Sequence, residues 1–275
     1  MSATHDEKRG RDDIAPYEYR GLMAEAWDVL RGDTSQWPDR FFYREAIERY
    51  GQPVLDVGCG TGRLLLDYIA QGIDIDGVDN SPEMLALCQE RARAQGLDVA
   101  LYEQYMEELD LPRRYRAILV PSSSLQLITD REQAAIAMVR LVAHLEPGGA
   151  LVASFMTLWR EGDPLDSTRE RSAVRPEDGA LFRHLARARY DPATRLEHTD
   201  DLYQRLVNGV VVAEERHVRS PATLSYTQQE AIALYENAGL TEVRACHEFT
   251  WEPARSDDTL FTVLGMRPPS SGDRS

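Results

Sequence analysis

Residues Leu55-Asp56-Val57-Gly58-Cys59-Gly60-Thr61-Gly62-Arg63 decide how this chain is read. A short apolar strand, Pro53 to Val57, runs into three alternating glycines, and a helical pattern (Leu64, Leu65, Leu66, Tyr68, Ile69) leaves them. Glycine has no side chain to hold a ligand off and accepts positive φ, so such a turn offers bare backbone to a ligand. The spacing says which ligand. A dinucleotide loop needs G-x-G-x-x-G with a pyrophosphate at the helix N-terminus. Here the third glycine comes one residue early. A P-loop needs G-x-x-x-x-G-K-[ST], but the spacing differs and the only lysine is Lys8. Asp56, just ahead of the loop, repels phosphate and suits an ammonium or a hydroxyl. A ligand with a cationic amino-acid end and a ribose fits.

The next stretch supports that choice. Residues 73–79 (Ile-Asp-Ile-Asp-Gly-Val-Asp) read as a second strand ending in Asp79, 21 positions after Gly58. An acid about 20 residues beyond the glycines is placed to accept hydrogen bonds from two ribose hydroxyls. Ser81 then reads as a helix N-cap with Pro82 at the first helical position.

Asp56-Val-Gly58-Cys-Gly60-Thr-Gly62 resembles the first motif of the Rossmann-like (class I) S-adenosylmethionine-dependent methyltransferases. Asp79 with Ser81-Pro82-Glu83-Met84-Leu85 resembles their second, and Leu145-Glu146-Pro147-Gly148-Gly149 the turn into their fifth strand. The resemblance covers residues 39–156 well and 224–267 more loosely. It implies an α/β fold: a seven-stranded, mostly parallel sheet with helices on both faces and one reversed final strand. The alternation of strand and helix patterns agrees. It also implies S-adenosylmethionine as cofactor, held by Asp56, Gly58, Cys59, Gly60, Gly62, Asp79, Asn80, Met84, Gln104, Tyr105, Met106 and Pro121. One position departs from the family. After the third strand (Val99 to Tyr102) the family has an acid for the adenine amino group, and here Tyr105 stands in its place. Gln104 or backbone carbonyls are left to hold that group, or Tyr105 to stack on the base.

Composition narrows the partners. A net charge of −15 over 275 residues repels nucleic-acid phosphate and anionic lipid, so neither nucleic acid nor membrane is expected. Cys59, Cys88 and Cys246 are too few and too scattered for a disulfide framework or a metal site, which points to a reducing, cytoplasmic setting without metal. Met1–Asp13 is polar, neither a signal peptide nor an anchor. A small-molecule substrate is the expected partner, and a homodimer is compatible with the sequence.

Along the chain, 1–13 is expected as a disordered tail and 14–50 as a helical lid, with a helix over about 39–50. Residues 51–159 and 224–267 form the methyltransferase core, and 268–275 a second tail. Within the core, Tyr115 to Pro121 reads as the fourth strand, 130–145 as an amphipathic helix and Ala150 to Phe155 as the fifth strand. The segment 160–180 is polar and punctuated by prolines and glycines. From Ala180 to Leu224 three alternating strands follow (181–190, 196–207, 210–220), with Asn208-Gly209 a strong hairpin signal. This antiparallel β meander, an insertion over 160–223, is expected to roof the substrate. The last helix, Thr227 to Ala238, stops at Gly239. Tyr17 and Trp27 from the lid, with Ser122, Ser123 and Gln126 from the fourth-strand tip, are the expected substrate contacts.

No catalytic base announces itself. His144, His184, His198 and Tyr226 are candidates, with Glu197 and His217 beside them. The fourth-strand tip lacks an Asn/Asp-Pro-Pro-Tyr/Phe signature, there is no Pro-Cys pair, and no acid follows Val120. These absences disfavour DNA amino methylation, cysteine-based cytosine methylation and magnesium-dependent catechol chemistry. What is left is methyl transfer to a small molecule, nitrogen favoured over oxygen by a loose resemblance of the insertion to those of glycine and amino-sugar N-methyltransferases. The alternative is a catalytically silent S-adenosylmethionine-binding protein with a regulatory or scaffolding role.

Overall fold

A computed structural model describes residues 17–269. The expected tail 1–13 lies outside these residues, as do 14–16 of the lid and 270–275 of the second tail. Two helices come first, α1 (Gly21–Arg31) and α2 (Pro38–Tyr50), then β1 (Val54–Val57), α3 (Leu65–Ala70), β2 (Ile75–Asp79), α4 (Pro82–Gln95) and β3 (Leu101–Glu103). Next come β4 (Tyr115–Val120), α5 (Arg131–Ala143) and β5 (Leu145–Met156). Four strands leave the main body: β6 (Asp166–Val174), β7 (Leu181–Asp191), β8 (Leu196–Val207) and β9 (Val210–Leu224). The chain returns through α6 (Gln228–Asn237), β10 (Thr241–His247) and β11 (Leu260–Met266).

Seven strands form the large sheet in the order β10-β11-β5-β4-β1-β2-β3. β1 runs parallel to β2 and β4, whereas β11 is antiparallel to β5. This is the seven-stranded, mostly parallel sheet with a reversed final strand that the motifs imply. Both faces are covered, as a parallel sheet requires. Leu55, Ile118 and Val120 point into one apolar layer with α5 and α6. Val54, Ala117 and Leu119 point into the other with α2, α3 and α4. Each fully buried Leu or Ile contributes about 1.5–3 kcal/mol to such a core. Local signals set the helix ends: the Ser81 hydroxyl accepts from Met84 N–H with Pro82 in the first turn of α4, and Thr227 with Glu230 forms a capping box on α6.

The insertion is a separate antiparallel sheet, ordered β6-β7-β8-β9. It has four strands, not the three expected, because the polar segment before Ala180 contributes β6. Almost every β6 side chain is exposed and the strand lies at the sheet edge, so it carries no apolar alternation to be read. β5 also begins earlier than expected, at Leu145, since Leu145 already pairs with Tyr115 before a register shift at the glycines. α1 lies between the two sheets. Leu22, Met23 and Ala26 pack against Phe182 and Tyr203. Its first turn donates Gly21 N–H to Glu83 (2.5 Å) and Leu22 N–H to Glu215 (2.8 Å), acids suited to a helix N-terminus. Glu25 pairs with Arg175 (2.7 Å) and Arg205 (2.8 Å). Among the described residues no helix is long and apolar enough to cross a membrane.

Candidate active site

The three glycines of the loop do three different things. All have positive φ (+70°, +55° and +84°). A Cβ on Gly58 would sit 2.7 Å from Ser124 Oγ, so that glycine lets the β4 tip approach the loop. Gly60 turns its N–H onto Asp79 Oδ2 at 2.8 Å, fastening the loop to the end of β2. A Cβ on Gly62 would collide with Cys88 Sγ at 2.6 Å and Leu66 at 2.8 Å, so this glycine serves helix packing. The other Asp79 oxygen accepts Ser81 N–H at 2.9 Å. Burial pushes the Asp79 carboxyl up, opposed by the N–H groups of Ser81, Gly60 and Asn80.

These elements bound a cleft of about 950 Å³, counting its open mouth, at the carboxyl edge of the large sheet. Open α/β sheets bind ligands there. Its floor is the loop, from Asp56 through Gly60. Asp79, Asn80, Met84, Gln104 and Met106 line one side, and Pro121, Ser122, Ser124 and Leu127 at the β4 tip another. Tyr17, Tyr19, Trp27 and Arg31 close over it. Ser122 and Ser123 both hold left-handed backbone (φ +56° and +58°), the strained geometry that collects at ligand sites.

Two charged groups of opposite sign face the cleft. Asp56 is 2 % exposed and its Oδ1 has no hydrogen-bond partner. Burial pushes its carboxyl up to about 7, Arg63 opposing and Asp79 and Asp39 adding. Arg63 is already held by both oxygens of Asp39. Arg31 stacks on Trp27, 4.0 Å from the ring centroid, and burial together with the Arg63 charge pushes it below its ordinary value. A buried carboxylate and a half-buried guanidinium facing one space match a zwitterion.

Of the expected cofactor contacts, Asp56, Gly58, Cys59, Gly60, Asp79, Asn80, Met84, Gln104, Met106 and Pro121 line the cleft. Gly62 lies behind it. Tyr105 faces a neighbouring hollow with Glu103 and Glu108. The Gln104 amide is spent on Asp110, accepting its N–H (2.8 Å) and donating to its carbonyl (3.1 Å). Among the expected substrate contacts, Tyr17, Trp27 and Ser122 line the cleft, whereas Ser123 and Gln126 do not. Gln126 is fully buried and clips β5 to the end of β9, donating to Met156 and Leu224 carbonyls and accepting Met156 N–H.

The four catalytic candidates stand outside the cleft lining. His144 caps α5, its Nε2 accepting Leu111 N–H (2.9 Å) and its Nδ1 donating to the Arg140 carbonyl (2.8 Å). Tyr226 packs on Phe155 in the core. His184 bonds Asp201 at 2.7 Å and His198 bonds Ser220 at 2.7 Å, both on the small sheet. Sequence reasoning did not single out Arg31 and Arg63. For Arg31 a signal existed: Trp27 and Arg31 are four apart on one helix, the spacing at which a cation meets a ring.

The pattern of the family described as "Methyltransferase domain" matches residues 54–149. A putative methyltransferase of Geobacillus sp. (strain WCH70) is 30% identical over 253 residues, 90% of this chain and 96% of that protein. The dTDP-3-amino-3,6-dideoxy-alpha-D-glucopyranose N,N-dimethyltransferase of Streptomyces fradiae is 29% identical over 144 residues, 49% of this chain and 53% of that protein. The crystal structure of the sugar N-methyltransferase KedS8 from Streptoalloteichus superposes with a TM-score of 0.69 at 22% identity, covering 98% of this chain and 99% of that one. The chain belongs to the class I S-adenosylmethionine-dependent methyltransferases.

Proposed function

We propose that the chain transfers the methyl group of S-adenosylmethionine to an amine on a small polar acceptor. The observation that carries the reading is the make-up of the cleft lining. Its carboxylates, Asp56 and Asp79, stand at the loop, and its β4 end offers Ser122, Ser124 and apolar side chains but no histidine. An amine attacks with its own lone pair, whereas a hydroxyl needs a base within hydrogen-bond reach. When bound, the cofactor supplies an electrophilic methyl carbon with a neutral thioether as leaving group.

The chain's own groups divide the remaining work. Asp79 keeps lone pairs beyond those given to Gly60 and Ser81 and would accept two ribose hydroxyls. Arg31 would hold the cofactor carboxylate and Asp56 would face its cationic end. Met84 and Met106 would flank the base, and Asn80, whose buried Nδ2 has no partner, would donate to it. Tyr17, Tyr19 and Trp27 would exclude water, and Ser122 would meet the acceptor. Tyr105 leaves the adenine amino group without the family's acid, which favours a second reading: binding without turnover.

One assay separates these readings: methyl-labelled S-adenosylmethionine offered with paired amine and hydroxyl acceptors, amino sugars included. Label on nitrogen supports the proposal. Label confined to oxygen overturns it, and tight cofactor binding with no transfer selects the silent reading.

A further inference from the structure

The face of the small sheet that packs on α1 continues past that helix as a polar surface. In an antiparallel sheet, directly opposed residues share a face. One row is Thr199 opposite Arg219, with Ala188 on the other side of Thr199. The next is Arg169, Ala186, Asp201 and His217, and the next Arg171, His184 and Tyr203. Three arginines therefore border a floor of small side chains, Ala186 and Ala188. Arg219 and the β6 arginines are three inter-strand spacings apart, about 14 Å between backbones. An extended arginine from each side is long enough to reach across much of that span.

Arg219 is the informative member. Its side chain is 15 % exposed, yet its Nε and Nη1 are buried without hydrogen-bond partners. Among the described residues its one carboxylate within ion-pair distance is Asp201, at 3.7 Å, and Asp201 already bonds His184 at 2.7 Å. Its guanidinium lies 5.7 Å from the ring of Tyr19, which lines the cleft. Arg169 and Arg171 are exposed and make no ion pair among the described residues. Glu197 is a second acid near Arg219 and Arg169, yet Arg219 Nε and Nη1 still have no hydrogen-bond partner. Buried N–H groups left unpaired cost free energy that a bound anion recovers with charge-assisted hydrogen bonds.

We propose that this face binds an anionic group, phosphate or carboxylate, carried by the methyl acceptor, with Arg219 as the anchor nearest the cleft. The inference rests on the small-molecule acceptor reading and deepens it: the acceptor is an amine bearing an anion, with the anion seated on the small sheet.

The test is calorimetry on the full chain, free and saturated with S-adenosylhomocysteine, using inorganic pyrophosphate in one arm and succinate in the other. Saturable binding of at least one probe is expected, the tighter one naming the anion. Arg219→Gln weakens it about tenfold or more, as expected for a buried charged partner. A double variant, Arg169→Gln with Arg171→Gln, weakens it several-fold and leaves cofactor affinity unchanged. Both of those residues are exposed, so this variant speaks even if Arg219→Gln fails to fold. No binding of either probe at millimolar concentration, or affinities indifferent to both variants, overturns the inference. Failure of the methyltransferase reading shows separately, as absence of S-adenosylhomocysteine binding by the unaltered chain.

Discussion

The two sheets are built to different tolerances. In the large sheet, all four residues of β1 are buried and every strand next to it is parallel and covered on both faces. In the small sheet, α1 covers part of one face and the other stands in solvent, where Val210, Val212 and Val218 are 64 %, 51 % and 64 % exposed. Close packing fixes a backbone, and a half-solvated sheet lets its side chains vary. The recognised family pattern, residues 54–149, covers β1 to β4 and the start of β5 in the first region and stops before the second. On the proposed reading, the difference teaches where the two halves of a transfer reaction can be housed: the methyl donor on the rigid edge, the acceptor under the half-solvated sheet.

The comparison breaks first, if it breaks, at Gly62. Gly62→Ala should lower unfolding free energy by about 3 kcal/mol or more, from overpacking against Cys88 and Leu66 and from the left-handed φ. Denaturant titration reads this, and a loss under 1 kcal/mol would mean the loop is less tightly set than described. Asp79→Ala should cost the cofactor about 3 kcal/mol, roughly a hundredfold in Kd, because two hydroxyl contacts and the Gly60 fastening go together. An unchanged Kd would end that role. Arg31→Gln should weaken S-adenosylmethionine by about 2 kcal/mol, yet leave decarboxylated S-adenosylmethionine unaffected. Equal losses for both ligands would move the carboxylate elsewhere.

The pH dependence is sharper in sign than in size. A carboxyl at about 7 in the fold keeps a proton that the unfolded chain has released. The ligand-free fold therefore loses stability as pH rises from about 4 toward 7. A cation beside Asp56 reverses the trend for binding. Cofactor affinity should climb by up to about tenfold per pH unit below 7, level off above it, and release a proton at pH 6. A flat affinity from pH 5 to 8 would separate Asp56 from the cation. The smallest effect belongs to the outer face of the small sheet, where Val218→Thr should shift stability by no more than about 0.5 kcal/mol.

Legibility in the sequence follows the same division. The loop, Asp79 and the α4 cap are local chemistry, one residue type at one spacing, and they read directly. The buried parallel strands read as short apolar runs. β6 was unreadable because an exposed edge strand buries nothing that would force a pattern. Gln126 misled because it lies at the ligand-binding edge, yet a polar side chain there can equally be consumed by framework hydrogen bonds. Arg219 matters through what it fails to touch, and unsatisfied partners are visible only in three dimensions.

α1 carries a kinetic consequence. Tyr19, Trp27 and Arg31 bound the donor's end of the cleft, and the same helix is tied to the small sheet through Glu25, Arg175 and Arg205. If the proposed sites hold, moving it to admit or release the donor would dismantle part of the acceptor's enclosure. The two substrates would then not exchange independently: the donor would enter first, and its demethylated form would leave last.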